Sequence, residues 1–156
     1  MHWNISEEKL DKAIALIREH NENATIITTE WDKLDGVDIL KTIEGATDLE
    51  KELMEQVMEE HAHHHEHHHH ADEVFVSWGM ETPAVYTKER VEAILNALGQ
   101  EETYGLVLRA KGMLPAEDNT WIYFDYVPEE TEIRDGKPAV TGKICVIGSG
   151  LKQDAL

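Results

Sequence analysis

Tyr104-Gly105-Leu106-Val107-Leu108-Arg109-Ala110-Lys111, Thr120-Trp121-Ile122-Tyr123-Phe124-Asp125-Tyr126-Val127, Thr131-Glu132-Ile133-Arg134 and Thr141-Gly142-Lys143-Ile144-Cys145-Val146-Ile147 follow one another with short gaps. These runs are rich in β-branched and aromatic residues, which suit the pleated, half-buried surface of a strand. Pro115 with Asp118-Asn119, then Pro128, then Asp135-Gly136-Lys137-Pro138 mark turns between them. The last reads as a hairpin turn. Upstream, Val74 to Trp78 is another strand. Thr87 caps a helix to Leu98, with Val91, Ile94, Leu95 and Leu98 on one face and Gly99 at the C′ position. Strand, helix, then hairpin-linked strands predict an α+β domain over residues 73–156: an antiparallel sheet with helices on one face.

The residues before it read differently. Residues 6–20 predict an amphipathic helix, with Ser6 as N-cap and Leu10, Ala13, Ile14 and Ile17 on one face. Ala24 to Thr29 reads as a short buried strand of the α/β kind, and Val37 to Ile43 as a short helix. A lone parallel strand has no neighbour to pair with. Residues 1–45 therefore read as a truncated α/β piece that packs poorly by itself. Residues 46–72 form an acidic helix and linker. Thr47 or Asp48 caps the helix, and Leu49, Leu53, Met54 and Val57 or Met58 lie on its inner side. It reads as a hinge whose end runs into His61-Ala62-His63-His64-His65-Glu66-His67-His68-His69-His70.

The totals exclude several roles. A chain of 156 residues with 41% apolar residues can bury a real core. Its formal net charge of −18 argues against nucleic acid and against an anionic membrane surface. No apolar run approaches the ~20 residues that span a bilayer. The single cysteine, Cys145, permits no internal disulfide, and the N-terminus lacks a signal-peptide pattern. A cytoplasmic location is the expectation.

Eight of the ten histidines, His61, His63, His64, His65, His67, His68, His69 and His70, share one window. Imidazole suits Zn²⁺, Co²⁺, Ni²⁺ and Cu²⁺. A structural zinc site fixes four ligands at rigid spacing. Many equivalent ligands on one stretch suit exchangeable, moderate-affinity capture instead. The run is internal and interrupted, unlike an expression tag, and its bland alternative is an inert low-complexity tether. Arg109 and Lys111, at i and i+2, share a strand face and are candidates for docking an anion or a partner carboxylate; the commoner role for such a pair is solvation. Cys145, flanked by Ile144 and Val146, reads as a buried, inert thiol. Gly148-Ser149-Gly150 reads as a turn, since it lacks the Lys-Ser/Thr of a phosphate loop. No GxxxxGK[ST], guanine-recognition or Cys-x-x-Cys motif is present in the sequence.

Three stretches resemble the C-terminal half of CobW-type P-loop GTPases, the metallochaperone and cobalamin-biosynthesis group. They are the histidine-rich linker leading into Glu73-Val74-Phe75-Val76-Ser77, the strand Tyr104 to Gly112 ending in Arg-x-Lys-Gly, and the closing strand Ile144 to Leu151. Ser6 to Leu40, with Ile26-Ile27-Thr28-Thr29 and Leu34-Asp35, is similar to the end of that family's GTPase domain. The resemblance implies a non-catalytic module that captures Zn, Co or Ni on the histidine segment and docks a client metalloprotein or a separate GTPase domain. It implies no GTP site in this chain, because the phosphate-loop and guanine-recognition motifs are missing. The chain is then a piece of a longer protein or a remnant that works with another GTPase. A homo-oligomer stays open. Two other readings compete: an interaction domain on an inert histidine tether, and half of a split GTPase.

Overall fold

The computed structural model describes residues 5–22, 24–43, 48–63 and 75–156. In chain order the elements are α1 (Glu7–His20), α2 (Gly36–Ile43), α3 (Asp48–His63), β1 (Phe75–Thr82), α4 (Lys88–Leu98), α5 (Glu101–Tyr104), β2 (Leu106–Pro115), β3 (Trp121–Val127), β4 (Glu130–Gly136) and β5 (Gly142–Ser149). The five strands form one sheet in the order β1-β5-β2-β3-β4, with every neighbouring pair antiparallel. The α+β class expected from the strand runs is the class observed.

The path follows from the pairing. β1 and β2 run the same way with β5 between them, so α4 crosses over the sheet to link them. The Thr87 hydroxyl caps α4 by accepting from the Arg90 amide at 3.2 Å. Gly99 stays in right-handed backbone at φ −69°, so the chain continues into α5 instead of stopping there. The left-handed turn falls at Gly105, φ +84°, where a Cβ would lie 2.2 Å from the Gly150 carbonyl oxygen.

The tight hairpin lies elsewhere than expected. Val127 pairs with Glu130, so Pro128-Glu129 is the two-residue turn between β3 and β4, with Glu129 at φ 70°. Asp135-Gly136 is no hairpin turn, because β4 and β5 are not neighbours. Residues 137–141 instead carry the chain past β3 and β2 to insert β5. Gly136 is required for a different reason: a Cβ there would lie 2.1 Å from the Tyr123 ring.

Alternation along β5 divides its side chains between two cores. Val146 and Ile144 face α4, joining Val91, Leu95, Leu98, Val107, Leu114, Ile122 and Phe124. Cys145 and Ile147 face the other way, onto Leu53 and Val57 of α3, with Leu49, Met54, Phe75 and Leu108 around them. Within residues 75–156 the helices lie on one face, as expected. The acidic segment adds cover to the opposite face. It packs as an element where the sequence suggested a hinge, using Val57 on its inner side while Met58 stays exposed.

Residues 24–29 form no strand. They contain β-branched residues but have no sheet neighbour, and propensity alone does not make a ladder. Their ties to the domain are side-chain bonds: the Thr25 hydroxyl donates to Glu81 at 2.7 Å and the Thr29 hydroxyl to the Ala139 carbonyl at 2.8 Å. α1 begins after Ser6 as expected, although the Ser6 side chain makes no capping bond. Ile5, Leu16, Trp31, Val37, Leu40 and Ile43 are each more than half exposed.

Two measurements check this architecture. Phe124 is 2% exposed at the centre of the α4-side core. Phe124→Ala should cost roughly 3–5 kcal/mol in chemical denaturation. In hydrogen exchange, β5 amides should be protected to nearly the global limit, while amides of residues 25–29 should exchange orders of magnitude faster.

Candidate functional site

The histidine window lies only partly within the described residues. His61 and His63 fall in the last turn of α3. His64, His65, His67, His68, His69 and His70 lie outside the described residues. The two flanks of the window are well placed. α3 enters it and β1 leaves it, and Val57 and Phe75 join the same apolar cluster over Cys145 and Ile147. Both ends of the segment are thus held on one face of the sheet. The helix C-terminus brings a partial negative charge to its start, which favours a nearby cation.

Arg109 and Lys111 stand on that same face. They pair across to Ile147 and Cys145, whose side chains point at α3. The register slips between Val107 and Arg109, and Leu108, the extra residue of this bulge, joins the cluster beneath α3. Lys111 Nζ is 3.9 Å from Glu52 of α3 and 3.8 Å from Asp125 of β3. Asp125 also accepts from Arg134 Nη1 at 2.7 Å. That hydrogen bond raises the Arg134 pKa above its ordinary value. The docking pair read from the sequence therefore sits at the margin of a surface that the chain's own helix already covers.

Asp125, Arg134 and Glu52 were not singled out by the sequence reading. One signal was available: Asp125 is a lone carboxylate in the aromatic run Tyr123-Phe124-Asp125-Tyr126. Glu52 had none, being one glutamate among many on an acidic helix.

Cys145 behaves as read. It is 3% exposed. Burial, and then the Glu50 carboxylate, push its thiol up to about 11. A thiol held protonated is a poor metal ligand and a poor nucleophile. Among the described residues, no three His, Cys, Asp or Glu side chains converge as a metal site. The donor set that fits a divalent transition metal is the imidazoles of 61–70. Glu50 also accepts from the Ser77 hydroxyl across the α3–β1 contact. Isolated His20 directs Nδ1 at the Leu16 carbonyl, 2.9 Å away. Among the described residues, no helix is long and apolar enough to cross a membrane.

The family model for the cobalamin synthesis protein CobW C-terminal domain matches residues 75–156, just over half of the chain. The chain belongs to this family. The CobW C-terminal domain is not the catalytic GTPase domain of such proteins. Its matched boundary falls at the first residue of β1, so the sheet, α4 and α5 are the family's and α1 to α3 precede it. Among solved structures, the Zn(II)-bound YjiA GTPase from E. coli is similar at 20% identity and a TM-score of 0.44. A Zn(II)-bound triple mutant of YjiA GTPase gives the same values. Each alignment covers 51% of this chain and 26% of the other. No curated protein matches the chain.

The buried thiol gives a pH test. Its folded value is raised from 9.0 to about 11. Above pH 9 the unfolded chain loses this proton while the folded chain keeps it, so stability falls as pH rises from about 9 to about 11. The loss attributable to Cys145 is of order 2 kcal/mol. Denaturation midpoints for the wild type and Cys145→Ala should diverge over that window and run parallel below pH 8.

Proposed function

We propose that this chain is the metal-binding and partner-docking module of a CobW-type metallochaperone, with His61, His63, His64, His65, His67, His68, His69 and His70 capturing Zn²⁺, Co²⁺ or Ni²⁺. The observation that carries this reading is eight imidazoles in ten residues, beginning in the last turn of α3, with flanking Val57 and Phe75 held on one apolar cluster. Neutral imidazole is a good ligand for these ions. Anchored flanks raise the effective concentration of ligands around a captured ion. The surrounding charge helps, since a chain of net charge −18 attracts cations before any contact forms.

In this reading the module has no catalytic step of its own. The nucleotide-driven part of metal delivery belongs to a GTPase domain on the same longer protein or on a separate chain. Residues 5–43 are the natural place for that domain or a client to pack. Trp31, at 78% exposed, and Ile43, at 75%, present large apolar surfaces to solvent on this chain alone. The compartment is reducing and cytoplasmic, where a lone buried thiol is stable.

Isothermal titration with zinc, cobalt and nickel chlorides tests this directly. The wild type should bind more than one ion per chain with micromolar or tighter affinity. Deletion of residues 61–70 should abolish that binding and leave the far-ultraviolet circular dichroism of the sheet unchanged. Affinity should fall steeply below about pH 6.5, as protonation removes imidazole lone pairs. Undiminished binding by the deletion variant would sink the proposal, and no binding by the wild type would favour the inert tether.

A further inference from the structure

We propose that the sheet face beneath α3 is a receptor groove for an acidic amphipathic helix of a partner protein, and that α3 is the displaceable occupant that keeps it closed. The proposal deepens the docking half of the function above and does not depend on metal binding.

The groove belongs to the family domain, whereas its cover does not. Its floor is Phe75, Leu108, Cys145 and Ile147, all within residues 75–156, while α3 lies outside that span. Without a helix across it, this face would be a bare apolar strip on a soluble sheet.

Charge selects the kind of helix. Two cations, Lys111 and Arg134, share one carboxylate, Asp125, at 3.8 and 2.7 Å. Glu132 offers Arg134 a second at 3.6 Å, from an exposed position. On the groove side, Glu52 supplies the further carboxylate for Lys111 at 3.9 Å. Arg109 stands beside Lys111 on the same strand face. A helix with glutamates flanking an apolar stripe meets Lys111 and Arg109 at this margin, as Glu52 of α3 already does at Lys111.

The resident helix is a poor fit. Among the described side chains of α3, only Leu53 and Val57 are fully buried. The Gln56 Oε1 atom is buried without a hydrogen-bond partner among the described residues. Beside Leu49 and Glu50 a gap of about 200 Å³ opens onto Gly79 and Cys145. A second gap, of about 670 Å³, lies between α2, residues 137–141 and the sheet and meets α3 only at Leu49 and Glu52. Glu55 and Glu59 add like-charge repulsion at i and i+4. A competing helix with bulkier apolar residues near the position of Leu49 would fill space that α3 leaves empty. An underpacked cover opens locally at lower cost than the whole domain.

Cys145, the only cysteine, lies under α3 and reports the opening. The test is Cys145 labelling by an aromatic disulfide reagent at pH 8.5 on the full chain, followed against denaturant. Probes are a synthetic peptide of residues 48–60 and the same peptide with every glutamate changed to lysine. Labelling of the wild type should be at least tenfold faster than global unfolding allows, and insensitive to low denaturant. Glu52→Lys, on the exposed flank, and Leu53→Ala, in the contact, should each speed it further, Leu53→Ala by more than tenfold. Glu52→Lys leaves the core untouched, so the test does not hang on Leu53→Ala folding. The acidic peptide should restore protection of Cys145 in both variants, and the lysine peptide should not. Labelling that tracks global unfolding in all three proteins would overturn the proposal. So would equal protection by the two peptides, or none by the acidic one. These readouts contain no metal, so their failure is distinct from failure of the metal-capture reading.

Discussion

Strand β5 is hydrogen-bonded along both edges, to β1 and to β2, and everything else in the domain depends on that placement. Four consecutive apolar residues, Ile144 to Ile147, then serve two layers at once. In an isolated hairpin such a run would leave one set of side chains wet. Here α4 takes Val146 and α3 takes Ile147, and each is 1% exposed or less. The same pairing sets Lys111 opposite Cys145, which fixes where charge meets the apolar face.

Much of this was legible in the sequence, for identifiable reasons. The strands announced themselves through β-branched and aromatic residues, and α4 through the spacing of Val91, Leu95 and Leu98 with Thr87 ahead of them. The connections were less legible. Asp135-Gly136 signals a bend, but a bend does not say where the chain goes next, and the strand after it enters between β1 and β2. Ala24 to Thr29 has the composition of a strand without a partner to make it one. The acidic helix was read as a hinge because it runs straight into the histidine window. Two side chains one turn apart, Leu53 and Val57, were enough to dock it once Cys145 and Ile147 faced them.

The candidate site divides in the same way. The histidine window is a matter of composition and is visible in any sequence. The Lys111–Asp125–Arg134 arrangement joins three strand positions that are 9 to 23 residues apart, and only the register reveals it. The carboxylate at 125 serves two cations because cross-strand neighbours on one face lie close together. Spacing along the chain carries no trace of that.

The position of β5 has a consequence for how the molecule comes into being. β1 and β2 are not neighbours, so β1 has no hydrogen-bonding partner until the strand ending at Ser149 has been made. During synthesis, β2, β3 and β4 can close as a meander of local contacts, while Phe75 to Thr82 waits with one apolar face uncovered. Sheet completion is then a late, non-local event of the kind that slows folding and exposes nascent chains to aggregation. The strongly acidic segment just upstream leaves the ribosome before that strand. Such a charged flank beside an apolar strand is the kind that discourages aggregation.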